Sequence, residues 1–327
     1  MNRRQFLVGG AAGAAAIVAH GITGAAQGPG GAGPAPAGGG RAGGRGGRGA
    51  NVPAEKLARI SLMTLDFNAM LKLPWATNPR PTQTLELLDL PQYYMDQYRV
   101  PNMEFQTDHL APNPERELPG VDFIRQMRAK LDAAGVSASQ INLEIGGMGN
   151  LEGDARAAWF ARAKAWADIS PILGVTRLMV IQDGLAEDTK ANAIAAWKML
   201  SDYARPKGIK ISAETRGGGG GGRRGAPAPV PTRPSWMLLK EVIEGAGGYS
   251  NVDLGGAAAN NQQELHDCIK ALYPTSSGNM HIKSSPFWDI GQAVKFTEGL
   301  GYKGLYSIEV NPDPAIGIVY NTILANL

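Results

Sequence analysis

A polar residue ends each of four short apolar stretches in the last third of this chain, and these stretches constrain the fold most. They span residues 209–214, 251–254, 280–283 and 306–310, and their polar residues are Glu214, Asp253, His281 and Glu309. Side chains alternate between the two faces of a strand, so each polar residue lies opposite apolar neighbours. One such residue per strand converges only if the strands are neighbours in a closed or nearly closed sheet.

If the four strand-end residues meet at one place, they supply three carboxylates and one imidazole. An oxygen-rich donor set with one nitrogen suits Mn²⁺, Mg²⁺, Co²⁺ or Zn²⁺. We therefore expect Glu214, Asp253, His281 and Glu309 to bind a divalent ion, with Mn²⁺ as the first choice. A metal-dependent enzyme is the function that this pattern favours.

Strand-like and helix-like patterns alternate along the rest of the chain. Four further strands are predicted at residues 60–67, 103–106, 141–145 and 178–181. Helices are predicted at residues 82–98, 121–134, 155–169, 189–204, 236–244, 262–272, 291–299 and 315–324. Pro91 must bend or restart the first of these helices. Such an alternation is typical of an α/β protein with a parallel sheet.

We predict a single-domain (β/α)8 TIM barrel over residues 52–327, a length close to the roughly 250 residues usual for that fold. Its chemistry would lie at the C-terminal ends of the strands, where the four polar residues fall. An open doubly wound sheet is the alternative. It is disfavoured because no strand-to-helix turn carries a Gly-x-Gly-x-x-Gly phosphate loop.

The first 27 residues are predicted to be an export signal. Arg3 and Arg4 precede Phe6, Leu7 and a modestly apolar run, which resembles a twin-arginine signal peptide. Small residues around Ala25 offer a cleavage site. We expect the twin-arginine machinery to carry the protein to the periplasm or otherwise out of the cytoplasm; an uncleaved anchor is the alternative.

Two segments are too poor in apolar residues to build a core. Residues 28–51 are mostly Gly, Pro, Ala and Arg, which predicts a flexible, basic linker. Its Arg-Gly units could suggest RNA binding, but an exported protein meets little RNA, so no nucleic-acid partner is expected. Residues 217–234 are a Gly/Pro-rich insertion after Glu214. This loop is either a mobile lid over the site or a segment without function whose composition has drifted because insertions are tolerated there.

The folded part must be stabilised by its apolar core. Cys268 is the single cysteine, so no intramolecular disulfide can form. It lies within a helical pattern and is expected to be a packed apolar residue. Much of the formal charge of +3 comes from the N-terminal tail, so that charge says little about the fold.

Further polar residues at strand ends are candidates for contact with a substrate. Lys283 shares the face of His281 and would hold a substrate oxygen or pair with a neighbouring carboxylate. His109 follows the second strand and Gln182 ends the fourth, so both are predicted to bind substrate. The alternation along their strands places Glu104 and Glu144 on the face that points into the barrel, and both are expected to support the metal ligands.

Residues 52–327 resemble the sugar phosphate isomerase/epimerase family, the xylose-isomerase-like barrels. The resemblance is carried by residues 90–110 around the second strand, by Met280-His281-Ile282-Lys283 and by Ile308-Glu309. In family members that epimerise or isomerise free ketoses, the matching four residues bind one divalent metal. The resemblance further implies that Glu214 and Glu309 are the acid/base pair that moves a proton at carbon. A metal that polarises the neighbouring carbonyl makes that proton more acidic.

Three positions depart from the family pattern. Gly256 stands where a histidine is frequent, and Thr215-Arg216 replaces Asn-His after the fifth strand. Gly220 stands where a second acidic residue is common. These positions usually contact the substrate, so the family's sugar preference cannot be transferred to this chain.

The expected function is an exported, divalent-metal-dependent isomerase or epimerase acting on an unphosphorylated sugar or sugar derivative. A lyase of the same family that acts on 3-keto-glycosides and a non-catalytic sugar-binding barrel are the alternatives. A nuclease of the endonuclease IV type is disfavoured, because a multinuclear zinc site needs more histidines than the three that would remain after export. The sequence does not specify the oligomeric state.

Overall fold

The computed structural model describes residues 52–114, 116–215, 233–255, 259–310 and 315–327. Eight parallel strands close into a barrel in which each strand pairs with its neighbours in the sequence, and the last pairs with the first. The strands are β1 (Ile60–Met63), β2 (Asn102–Gln106), β3 (Ser137–Leu143), β4 (Arg177–Val180), β5 (Lys210–Glu214), β6 (Tyr249–Asp253), β7 (Ser276–Ile282) and β8 (Leu305–Ile308). The predicted (β/α)8 barrel is confirmed.

A helix follows every barrel strand. The helices are α1 (Leu90–Gln97), α2 (Val121–Ala134), α3 (Gly153–Leu173), α4 (Lys190–Ala204), α5 (Ser235–Ala246), α6 (Gln262–Leu272), α7 (Ile290–Gly299) and α8 (Ala315–Asn326). Their inward faces bury large side chains such as Trp166 and Trp197 against the strands. Gly135 ends α2 with a positive φ of 68°, a conformation that glycine adopts without steric cost.

The inside of the barrel is polar rather than apolar. Ser61, Glu104, Asn142, Asn279 and Ser307 are completely buried on five consecutive strands of the barrel. Buried polar groups of this kind are stable only when they hydrogen-bond to each other. Asn142 bonds to Gln140, and Asn279 and Ser307 bond to Glu104, so a hydrogen-bonded network leads up to the C-terminal ends of the strands.

The region around the first helix differs from the prediction. The helix expected over residues 82–98 begins only at Leu90, where Pro91 occupies its first turn, the position at which proline is tolerated. Upstream, the two-residue strands Leu71–Lys72 and Leu85–Glu86 pair with each other. Pro91 thus starts the helix rather than bending it.

The first strand is shorter than predicted. It ends at Met63, and Thr64–Phe67 forms a 3-10 turn. The carboxylate of Asp66 accepts a hydrogen bond from the backbone N–H of Met63 at 3.1 Å, which closes the turn. A local side-chain bond therefore competes successfully with continued strand pairing.

Several predictions fall on residues outside the described ranges. These are the export signal in residues 1–27, the linker in residues 28–51, most of the insertion in residues 217–234, and Arg216, Gly220 and Gly256. They remain predictions. Within the described ranges, no helix has both the length and the apolar character needed to cross a membrane.

Candidate metal centre

Three of the four predicted ligands meet at the C-terminal end of the barrel. Nδ1 of His281 lies 2.8 Å from Oε1 of Glu214 and 3.4 Å from Oε2 of Glu309. Glu214 is the last residue of β5, His281 the penultimate residue of β7, and Glu309 follows β8 directly. Their ligand atoms lie within 4.8 Å of one another, so this group could hold a metal ion.

The spacing of these atoms fits a small divalent ion. Neighbouring ligands at about 2.1 Å from an octahedral ion are about 3.0 Å apart, close to the two distances from His281 Nδ1. The two carboxylates match the donor preference of Mg²⁺ or Mn²⁺, and the imidazole is a donor that suits Zn²⁺.

Asp253, the fourth predicted ligand, lies beside this group rather than inside it. It pairs with His281 in the β6–β7 register. Its Oδ1 accepts a hydrogen bond from the backbone N–H of Gly255 at 2.7 Å. Its Oδ2 is buried without a hydrogen bond, although Nζ of Lys283 lies 3.1 Å away. A buried carboxylate oxygen that lacks a hydrogen bond is suited to a cation.

Glu104 supports the histidine from below. Its Oε1 accepts a hydrogen bond from Nε2 of His281 at 2.7 Å and one from Gln140 at 3.1 Å. Its Oε2 accepts hydrogen bonds from Asn279 at 2.8 Å and Ser307 at 2.5 Å. A carboxylate on the far nitrogen of a ligating imidazole fixes the ring orientation and makes it a better ligand. The structure thus places Glu104 against His281, and its support of a metal ligand remains a prediction.

Asn251, Asn279 and Ser307 were not recognised as part of the site from the sequence. A pattern that could have identified them is the small polar residue two positions before each candidate ligand. Ser212, Asn251, Asn279 and Ser307 precede Glu214, Asp253, His281 and Glu309 in this way, and all are buried. Residues two apart share one face of a strand, so each lies one layer below its ligand inside the barrel.

The buried carboxylates control the charge of His281. Burial alone disfavours the imidazolium, but Glu104 and Glu214 outweigh it and hold the pKa of His281 well above its usual value. Burial also acts on Glu104, yet the nearby imidazolium and its hydrogen bonds lower the pKa of that carboxyl. Burial raises the pKa of Asp253 to about 6, even though Lys283 opposes the shift. The site therefore concentrates negative charge and compensates it with two cations.

Lys283 is the second of these cations and lies directly after β7. Its Nζ is 2.7 Å from Oε2 of Glu309 and 3.9 Å from Oε1 of Glu214. Burial disfavours the ammonium, but Asp253, Glu214 and Glu309 outweigh that effect and raise the pKa of Lys283. With side-chain exposures of 30% and 21%, Lys283 and Glu309 are the most accessible of these groups and mark the open side of the site.

The remaining candidates lie at the same end of the barrel. His109 is buried in the short helix Thr107–Leu110 after β2, with Nδ1 2.8 Å from Oγ1 of Thr64. Burial lowers the pKa of His109, which favours the neutral imidazole. Gln182 is half-buried two residues after β4, and Glu144 is half-buried one residue after β3. Contact of His109 and Gln182 with a substrate remains a prediction.

Asp66 is a buried carboxylate that sequence reasoning did not select. Its Oδ1 accepts a hydrogen bond at 2.8 Å from the backbone N–H of Val310, the residue after Glu309. Because Oδ2 binds Met63, this side chain ties the end of β1 to the end of β8. Asp66 thereby fixes the backbone that carries Glu309.

Replacing Glu104 with alanine should destabilise the fold strongly. The change leaves the imidazolium of His281 buried with one partner fewer and removes the acceptor of Asn279 and Ser307. Breaking a buried ion pair in this way costs about 3–5 kcal/mol. Urea unfolding of Glu104→Ala should show this loss, whereas Glu86→Ala, which removes an exposed pair with Lys72, should change stability by about 1 kcal/mol or less. Similar losses in both variants would contradict the supporting role of Glu104.

Comparison with known proteins gives a likeness of fold. Neither a protein-family model nor a curated protein matches the sequence. Among solved structures, a xylose isomerase-like TIM barrel protein from Mycobacterium smegmatis in complex with magnesium is 16% identical, with a TM-score of 0.57 over 85% of this chain and 97% of that one. The 3-keto-D-glucoside 4-epimerase of E. coli is 11% identical, with a TM-score of 0.57 over 83% and 100% of the two chains.

A third structure shows that the fold is shared by other chemistries. An AP endonuclease of family 2 from Brucella melitensis is 15% identical, with a TM-score of 0.56 over 81% of this chain and 96% of that one. At these identities the match concerns the architecture alone. By its fold, this chain is similar to the xylose isomerase-like TIM barrels.

Proposed function

We propose that this protein is a divalent-metal-dependent sugar isomerase or epimerase that removes a proton from the carbon next to a carbonyl. The observation that carries the proposal is the group formed by Glu214, His281 and Glu309 at the C-terminal end of the barrel. Two of the similar structures support it: one is named a 3-keto-D-glucoside 4-epimerase, and the other contains magnesium.

Each polar group at the barrel mouth has a role in this reaction. Glu214, Asp253, His281 and Glu309 would hold the ion, whose chemistry is to polarise the substrate carbonyl. Glu309 lies on the open side of the site and would take the proton from one face of the substrate carbon. Glu214 ends β5, three strands away from β8, and would deliver or remove a proton at the other face.

Lys283 would bind a substrate oxygen as a charged donor. A lysine that forms a Schiff base needs a lowered pKa so that the amine is neutral. The three carboxylates around Lys283 act in the opposite direction. His109, held neutral by burial, and Gln182 would contact other oxygens of the substrate.

The charge of the site favours an unphosphorylated substrate. Glu104, Glu214, Asp253 and Glu309 contribute four carboxylates, against which His281 and Lys283 supply two cations. When an ion is bound, Nδ1 of His281 must be deprotonated, so the ion and Lys283 together supply less positive charge than the four carboxylates supply negative charge, which leaves none for a phosphate group. We therefore propose a neutral sugar or sugar derivative as the substrate, and Mn²⁺ as the preferred ion with Mg²⁺, Co²⁺ or Zn²⁺ as substitutes.

The reaction is tested by product analysis. Metal-loaded protein is incubated with a panel of free ketoses, aldoses and 3-keto-glycosides, and the products are resolved by chromatography. A new sugar isomer supports an isomerase or epimerase. Release of the free aglycone would instead identify a 3-keto-glycoside lyase, which uses the same proton abstraction. Sugar binding without any product would identify a binding barrel and contradict the proposal.

We also propose that residues 1–27 direct the protein out of the cytoplasm by the twin-arginine machinery. Changing Arg3 and Arg4 to lysine should retain the protein in the cytoplasm, because that route recognises the arginine pair. Cell fractionation and immunoblotting measure the distribution. The matched control changes Arg41 and Arg45 in the linker to lysine and should be exported normally. Export of the Arg3, Arg4 variant at the parental level would contradict this route.

A further inference from the structure

We propose that the ammonium group of Lys283 competes with the divalent ion for the same carboxylate oxygens and thereby sets the affinity of the site for metal. This inference rests on the proposed metal site. It assigns Lys283 a function distinct from substrate binding, that of an internal counter-cation. Its consequence is that removal of the lysine charge strengthens metal binding, the reverse of what the loss of a ligand would do.

The first observation is that the two cations would share atoms. Oε2 of Glu309 accepts the hydrogen bond of Lys283 at 2.7 Å, and the same oxygen lies 3.4 Å from Nδ1 of His281. Oε1 of Glu214 lies 3.9 Å from Nζ of Lys283 and 2.8 Å from Nδ1 of His281. The lysine therefore contacts the oxygen atoms that face the nitrogen ligand, not the outer oxygens of the same carboxylates.

The second observation concerns Asp253. Its Oδ2, the buried oxygen without a hydrogen bond, is 3.1 Å from Nζ of Lys283. Of the two oxygens of Asp253, Oδ2 is the better placed to bind an ion as its fourth ligand, since Oδ1 already accepts a hydrogen bond from the backbone N–H of Gly255. A divalent ion and an ammonium group repel each other at such short range, so they cannot both be bound to these oxygens at full strength.

The third observation is that the backbone makes room for the lysine. A Cβ atom at Gly255 would lie 2.5 Å from Cγ of Lys283 and 3.0 Å from its Cε. The stem of Lys283 therefore crosses the backbone of Gly255 in close contact, and this path places the ammonium group among the carboxylates. Any larger residue at position 255 would displace the stem or the neighbouring Asp253, whose Oδ1 would be 2.8 Å from the same Cβ.

The side chain of Lys283 also reaches the solvent. Its side chain is 30% exposed, in contrast to 1% for His281 and Asp253 and 5% for Glu214. A flexible stem of four carbons can carry the ammonium group toward the open side of the barrel when an ion takes its oxygens. Binding of the ion would then release a donor at the place where a substrate would enter.

The test is a calorimetric titration of Mn²⁺ into metal-stripped protein. Lys283→Met keeps an unbranched side chain one atom shorter than lysine and removes its charge, and Lys283→Gln removes the charge but keeps a polar group. Both variants should bind Mn²⁺ at least tenfold more tightly than the parent. The control is Lys72→Met, which removes another lysine paired with a carboxylate, Glu86, outside the site. It should leave the affinity unchanged.

Thermal melting gives a second readout that does not depend on activity. Without Mn²⁺, Lys283→Met should melt at a lower temperature than the parent, because three carboxylates lose their neighbouring cation. Mn²⁺ should then raise its melting temperature by more than it raises that of the parent.

The outcomes separate this inference from the proposed function. If the parent binds Mn²⁺ and both Lys283 variants bind it equally or more weakly, the competition is refuted and the metal site stands. If neither the parent nor any variant binds Mn²⁺, Mg²⁺, Co²⁺ or Zn²⁺, the metal site itself is refuted, and the inference with it. Tighter binding in Lys283→Met and Lys283→Gln, but not in Lys72→Met, supports the inference.

Discussion

Replacing Glu309 with glutamine is expected to lower the turnover rate by about 10²–10⁴-fold, the usual contribution of a positioned general base. Glutamine keeps the size of the side chain and one oxygen that can contact an ion, but it cannot accept a proton at neutral pH. The variant should therefore retain much of its metal while it loses catalysis. Metal analysis and steady-state kinetics on the same preparation separate the two effects.

Glu214→Gln should show a similar loss, because the second carboxylate acts on the other face of the substrate. Proton exchange with solvent can survive on one face in this variant. Glu244→Gln is the matched control, since Glu244 is exposed and pairs only with Lys240 in the described contacts. Full activity in both Glu309→Gln and Glu214→Gln would remove the acid/base assignment, even if metal binding were normal.

Replacing His281 or Asp253 with alanine should lower metal occupancy sharply. The parent is expected to bind about one divalent ion per chain, because the ligands form a single group. His281 supplies the one nitrogen of the proposed ligand set, and Asp253 supplies a buried oxygen without a hydrogen bond. Each change deletes a ligand, and the affinity of such sites depends on the number and geometry of their ligands. Elemental analysis after dialysis measures the occupancy.

The control for this pair is His266→Ala. His266 lies in α6, where its ring stacks on Phe296 with 4.2 Å between ring centroids, and it faces no carboxylate of the site in the described contacts. Its loss should leave the metal content unchanged. Parental metal content in both His281→Ala and Asp253→Ala would refute the assigned ligands. His281→Ala should also reduce stability, because Glu104 would lose its charged partner.

Much of the barrel was predictable because the spacing of apolar residues within each short segment already indicates a strand or a helix. The helices at residues 121–134 and 262–272 have the predicted bounds, since one ends at a glycine and the other begins after the N-cap residue Asn261. The first strand and the first helix were predicted too long. The hydrogen bond to Asp66 ends the strand at Met63 although the apolar pattern continues. The restricted backbone of Pro91 starts the helix at Leu90 although the helical pattern begins earlier.

The candidate site was predictable in outline for a similar reason. Parallel strands bring their C-terminal ends together, so one polar residue per strand end is sufficient to locate a common site. The network around Glu104 was harder to predict because it depends on register. The pairing of β2 with β3 shifts between Met103 and Glu104. A second shift, between Ser250 and Val252 in β6, places Asp253 opposite His281. The position of the Lys283 ammonium group depends on how its side chain crosses Gly255. The spacing of residues in the sequence does not predict such a contact.

Incorporation of solvent deuterium tests the proposed chemistry most directly. Turnover of an accepted sugar by the metal-loaded protein in deuterated water should place deuterium at the carbon next to the substrate carbonyl, because a carboxylate that takes a proton there exchanges it with solvent. Mass spectrometry and NMR of the product locate the label, and Glu309→Gln should lose it together with turnover. A product formed at the parental rate without any solvent label would indicate an internal hydride shift and contradict proton transfer by Glu214 and Glu309.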